Sequence, residues 1–263
     1  TAGGDNRYGI TAIDINNVTV ENCVIDGISP NGSNGHGIFF DNVSSSLAIN
    51  NTITTNGSYN NTAVALWQSN FTSVRNNTGR AYRSSTIALG NPVISVHGTS
   101  DSIVIDGNTL LIGNLSNVQT SGVLGAFGSP HLRITNNTIE TAGTGIQLIG
   151  NNIANIIANN SILVNASVSA DAISMTSRDG TVVEDNRITI NATDGTAIRI
   201  GGNNLTVARN IIVNIGGGTG YEGIDIIFAT TGLMVRDNLI NTSGNGITLG
   251  IGVNGSILNN TVN

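Results

Sequence analysis

The sequence predicts an all-β chain coiled into about ten repeating units, and three observations carry that prediction. The first is composition. Only 10% of the 263 residues are charged, where ordinary soluble domains carry roughly 25%, and all ten cations are Arg because no Lys is present. Asn occupies 40 positions and Gly 34. Asn, Gly, Thr, Ser and Val are poor helix formers, and Lys, Glu and Gln are scarce, so a helical fold is excluded. The second observation is that 39% of residues are hydrophobic, with Ile, Val and Leu spread along the whole chain, which excludes disorder. The third is an internal repeat.

An Asn followed two residues later by an aliphatic residue recurs at Asn22, Asn51, Asn108, Asn137, Asn160, Asn186, Asn210, Asn238 and Asn260. Asn77 is a weaker member with Gly79 at the aliphatic place. A second landmark is a small residue followed by an aliphatic one at the head of an alternating strand. It stands at Gly9-Ile10, Gly37-Ile38, Ala63-Val64, Gly122-Val123, Gly145-Ile146, Ala172-Ile173, Ala197-Ile198, Gly223-Ile224 and Gly246-Ile247, and less cleanly at Val93-Ile94. From that aliphatic to the following Asn the distance is 12 to 14 residues, whereas from the Asn to the next aliphatic it is 9 to 17. Each unit therefore has a constant arm and a variable loop.

Within the arm, runs such as His131-Leu132-Arg133-Ile134 alternate with period two and predict strands with one buried face. In eight units an Ile or Val stands three residues before the Asn, one residue more than alternation allows, so a bend belongs there. Asn tolerates left-handed backbone geometry, and its amide can pair with the same amide in the coils above and below. The ten asparagines are expected to stack as an inward ladder.

Phrases such as Ile134-Thr135-Asn136-Asn137-Thr138-Ile139 and Gly145-Ile146-Gln147-Leu148 resemble the parallel β-helix repeat family, the right-handed single-stranded solenoids typified by pectate-lyase-like proteins. The resemblance covers the whole chain and implies one domain over residues 1–263, with no obvious caps. Ten coils at a strand spacing of about 4.8 Å would make a rod roughly 48 Å long. Function does not follow, because the family includes lyases, hydrolases, epimerases, phage tailspikes, adhesins and passive surface proteins.

Catalytic signatures are missing. The family's lyases imply a calcium ion on several Asp with an Arg or Lys base, and no cluster of three acids in adjacent coils is apparent. Gly35-His36-Gly37 echoes part of the polygalacturonase-like pattern, without its paired acids. The Asp-Pro-His-Asp signature of mannuronan epimerases is absent. Asp185, Arg209 and Asp237 precede the ladder Asn in three successive coils and read as a structural ion column. His36, His97 and His131 are far apart and unaccompanied by Cys, so neither a metal nor another cofactor is expected. Cys23, the one cysteine, reads as a small apolar residue. A net charge of −6 without Lys disfavours nucleic-acid and membrane-surface partners, and no apolar run is long enough to span a bilayer.

Two functional expectations follow. The long loops of the first four coils and the adjoining strands carry His36, Asp41, Tyr59, Trp67, Arg80, Tyr82 and Arg83, residue types suited to a groove for an acidic glycan in a polysaccharide lyase or hydrolase or in a sugar-binding module. The other expectation, and the favoured one, is a non-enzymatic extracellular or cell-surface subunit of a filament, sheath or adhesin. Joining Asn260 to the Ile10 of a following copy spaces them by 13 residues, inside the loop range, so copies would stack head to tail. Seventeen Asn-x-Ser/Thr sequons, among them Asn31, Asn56, Asn70, Asn114, Asn165, Asn191, Asn204 and Asn254, offer sites for covalent glycans.

Overall fold

A computed structural model of the chain describes residues 7–28, 35–57, 61–83, 92–113, 124–150, 152–166, 169–176, 179–216 and 220–263. It is a parallel β-helix. Three sheets of ten strands each run the length of the molecule, and every strand pairs in parallel with the strands of the coils before and after it. Sheet 1 holds Arg7–Ile13, Gly35–Asp41, Asn61–Trp67, Ile94–His97, Leu124–Phe127, Ile146–Ile149, Ile173–Met175, Asp194–Ile200, Gly220–Ile226 and Asn245–Leu249, which number the coils 1 to 10. Sheet 2 begins with Thr19–Glu21 and ends with Gly255–Leu258; sheet 3 begins with Val24–Ile28 and ends with Thr261–Val262. The variable part of each unit is the passage from sheet 3 back to sheet 1, with ten residues between Arg83 and Ile94 in one coil against two between Asn191 and Asp194 in another.

The interior is made of like residues stacked on like. Ile38, Val64, Ile94, Ile146, Ile173, Ile198 and Ile224 form one buried column on sheet 1, and Val74, Ile105, Ile134, Ile157, Val183, Val207 and Val235 form another on sheet 2. Each of these side chains removes from water an area that stabilises the fold by about 1.5–3 kcal/mol. The small residue that opens each arm has a steric cause. A Cβ added to Gly37 would strike Ile53 Cγ2 of sheet 3, and one on Gly223 would come within 2.6 Å of Ile240 Cγ2. Only a hydrogen or a methyl fits where sheet 3 packs under the head of sheet 1.

The bend between sheets 2 and 3 takes two residues. The first adopts left-handed geometry, as at Asn50, Asn76, Asn136, Asn159 and Asn259 with φ between 53° and 57°. Its successor turns inward. Asn51, Asn77, Asn108, Asn137, Asn160, Asn186, Asn210, Asn238 and Asn260 occupy that inward place. In the middle of the column the Asn137 amide donates to Asn160 Oδ1 and to the Ile105 carbonyl, each at 3.0 Å, while its own Oδ1 accepts the backbone and side-chain N–H of Asn108 at 2.9 Å.

Coil 1 departs from the expected ladder. Asn22 has φ 56° and is the left-handed first residue of the bend, and Cys23 takes the inward place, its N–H donating to Asn51 Oδ1 at 2.9 Å. The inward aliphatic of sheet 2 lies three residues before the ladder, and in coil 1 that residue is Val20, which selects position 23 rather than 22.

Candidate functional site

The residues expected to form one glycan groove fall on two different faces. His36, Asp41 and Trp67 lie on sheet 1, whereas Arg80 and Tyr82 lie on sheet 3 in the strand Thr78–Arg83, which ends at Arg83. Tyr59 lies outside the described residues. The side chains on sheet 1 are also used up by one another. His36 stacks on Tyr8 and Phe39 with ring centroids 5.6 and 5.3 Å apart. Trp67 stacks on His97 at 5.2 Å, and His97 on Phe127 at 4.6 Å. A ring face covered by the next coil's ring cannot also lie against a sugar, so His97, stacked on both sides, offers edges only, while Trp67 is stacked on one side and is 46% exposed. Burial, with the nearby charge of His97, lowers the His36 pKa to about 4, and its buried Nδ1 has no hydrogen-bond partner.

Further along the same outer face, coils 7 to 9 bring together a charged network. Counted from the inward Ile173, Ile198 and Ile224, the residues two places earlier are Asp171, Thr196 and Glu222, and those one place later are Ser174, Arg199 and Asp225. Arg199 is the hub. Its Nη1 donates to Asp171 Oδ2 at 3.0 Å, its Nε to Asp225 Oδ2 at 3.3 Å, and its Nη2 to Thr196 Oγ1 at 3.0 Å. Glu222 Oε2 lies 4.0 Å from Nη2 and accepts from Thr196 Oγ1 at 3.4 Å. Asp171 is 8% exposed and also accepts the Thr196 backbone N–H at 3.2 Å.

Three carboxylates thus share one guanidinium. Burial pushes the Asp171 pKa up against the opposing pull of Arg199, and burial followed by the neighbouring Asp225 carboxylate pushes Glu222 up. Burial raises both carboxyl groups, and perturbed titratable groups gathered round one cation make this network a candidate functional site. Their spacing separates two chemistries. Glycoside cleavage uses carboxyl groups about 5–9.5 Å apart with room between them, whereas Asp171, Glu222 and Asp225 all lie within 4.0 Å of one guanidinium. Ionised carboxylates accept several hydrogen bonds each, so the network has acceptor capacity left for hydroxyl or ammonium donors. Acids from coils 7 and 9 thus meet on a cation of coil 8, a grouping that a search for three acids in adjacent coils does not find. The Asn landmark does not reveal the cluster; the sheet 1 aliphatics do, because they fix which residues share a column on that face.

The ion column at the bend is different in kind. Arg209 donates to both oxygens of Asp185, at 2.9 and 2.7 Å, and to Glu184 at 2.7 Å, while Asp237 pairs with its neighbour Arg236 at 2.7 Å instead. These exposed pairs are worth little. Among the described residues no group of three or more His, Cys, Asp or Glu could hold a metal ion. Of the sequon asparagines, Asn31 and Asn114 lie outside the described residues. Asn56, Asn165, Asn191, Asn204 and Asn254 are exposed, and Asn70 is half-buried, its Oδ1 accepting the Asp101 N–H at 2.9 Å.

A family model described as the right handed beta helix region matches residues 121–263. No curated protein matches the sequence. Among solved structures, the surface adhesin PfbA of Streptococcus pneumoniae aligns over 99% of this chain and 84% of its own, with 15% identity and a TM-score of 0.58. The DFA-IIIase of Arthrobacter chlorophenolicus A6, solved without its lid, aligns over 88% of this chain and 68% of its own, with 14% identity and a TM-score of 0.57. At such identities the likeness is one of fold.

Proposed function

The chain belongs to the right-handed beta helix family, and from that premise we propose that it is an extracellular carbohydrate-recognition protein that holds a glycan on the outer face of sheet 1. The observation that carries this reading is the network of Asp171, Arg199, Glu222 and Asp225. It combines a guanidinium donor with a surplus of carboxylate acceptors, half-open to solvent on a rigid sheet. Sugars are recognised by such groups because each hydroxyl both donates and accepts. Carboxylates outnumber the cation, so the ligand class is neutral or amino-bearing sugars, and acidic glycans are repelled. An exterior rich in amides and hydroxyls and free of Lys is in keeping with an extracellular setting, and the adhesin neighbour is itself a surface protein.

A glycan array probed with the purified chain tests the reading. Binding to neutral or amino-sugar oligosaccharides is expected, with Arg199→Ala weakening it about tenfold or more, the loss of one charge-assisted contact. Absence of binding to any such glycan, or an Arg199→Ala variant that folds and binds as well as the parent, would overturn it.

A further inference from the structure

A second outer surface, on sheet 3, has the features of a binding site of another chemistry. In three successive coils Thr78, Thr109 and Thr138 stand in register in one row, and Arg80, Leu111 and Glu140 stand in register in the row beside it. These residues line a trough of about 170 Å³. Arg80 and Glu140 are exposed, and among the described residues neither forms an ion pair. Leu111 stands between them, and strand spacing sets their backbones two coils, about 9.6 Å, apart. The trough therefore has a cation at one end, an anion at the other, an apolar side chain between them and a flank of hydroxyls.

We propose that this trough binds a short peptide with free ends, its carboxylate on Arg80 and its ammonium on Glu140. Length suits the spacing. An extended chain spans at most about 3.3–3.6 Å per residue, so a tripeptide reaches roughly 10 Å, comparable with the separation of the two backbones from which Arg80 and Glu140 project over the trough. The guanidinium fork matches a terminal carboxylate in a bidentate pair, and Glu140 accepts from the ammonium. Each Thr hydroxyl can donate to a peptide carbonyl or accept from a peptide N–H, and Leu111 takes a small apolar side chain. A neutral sugar would leave both charges unused, and an acidic glycan would face Glu140 with like charge. The site lies on a different sheet from the carbohydrate site and stands or falls separately from it.

The test is a titration of the full chain with tri-alanine, read by saturation-transfer NMR. Saturable binding is expected, weakened about tenfold or more when both peptide ends are blocked by acetyl and amide groups, the loss of two charge-assisted contacts. Arg80→Gln and Glu140→Gln should each weaken it about fivefold or more with unchanged circular dichroism. The decisive variant exchanges the charges. Arg80→Glu and Glu140→Arg singly should abolish binding, and together they should restore it to within about threefold, because the peptide can lie the other way round between the same two charges. Absence of saturable binding, equal binding of the blocked peptide, or a double exchange as inactive as the single ones overturns the proposal.

Discussion

Two side-chain networks run parallel to the rod axis, one inside the corner between sheets 2 and 3 and one outside on sheet 1, and they differ in how completely they satisfy themselves. In the asparagine column each interior amide donates to the next amide and to a carbonyl, and its oxygen accepts twice from the coil before. Nothing is left over, and water does not reach it. On sheet 1 three carboxylates converge on the one guanidinium of Arg199, two of them with pKa values pushed upward by burial. A closed network serves the fold alone, whereas one with surplus acceptors has something to offer a ligand.

The comparison breaks most visibly inside. Asn137→Ala would strip partners from the amides of Asn108 and Asn160 and from the Ile105 carbonyl, all buried, and should cost about 4 kcal/mol in urea denaturation. A loss below about 1 kcal/mol would mean that the column is not a structural spine. Sugar affinity should not change.

Next in size is the aromatic ladder. The unfolded chain takes up a proton on His36 near its ordinary 6.5, while the folded one resists protonation down to about 4, so stability falls as pH drops through that window. The loss is at most about 3 kcal/mol. His36→Phe keeps the stack on Tyr8 and Phe39, and denaturation midpoints at neutral pH and at pH near 4 should then lie closer together than in the parent.

On the outer network Arg199→Ala leaves Asp171 without its cation. Because the Arg199 side chain is 38% exposed, the expected loss is about 2 kcal/mol rather than the full cost of a buried pair. Affinity for sugar should fall with it, which Asn137→Ala will not reproduce. The smallest effect is Glu222→Gln. The folded-state pKa of Glu222 is raised above 4.5, so its contribution to stability declines as pH rises through that raised value, and the amide should gain about 0.5 kcal/mol at neutral pH. A destabilised Gln variant would show that the ionised carboxylate holds the network together.

Much of the fold was legible because stacking forces like residues into like places. The small residue at Gly37 and the aliphatic at Ile38 mark the head of sheet 1 in the sequence as they do in space. The bend was legible as a break in alternation, yet Asn22 was misread because its neighbour Cys23 can fill the inward place with a backbone N–H alone. The sites were harder to see. Trp67 and Arg80 stand only 13 positions apart, but the turn over residues 68–72 and the bend at Asn76 and Asn77 together send them to different faces. Asp171 and Asp225 stand 54 positions apart and meet on one guanidinium, visible only when coils are aligned on the sheet 1 aliphatics. Side-chain competition, such as Trp67 stacking on His97, leaves no trace in the spacing at all.

Since every strand pairs only with the coils before and after it, the interstrand hydrogen bonds all point along the rod. Tension applied at the two ends of the chain would therefore load these bonds one coil at a time, peeling turns away in sequence as a zip opens. A sideways load on the wall of the rod would be shared by many coils at once. As a mechanical element the molecule is stiff across its width and yields in steps along its length.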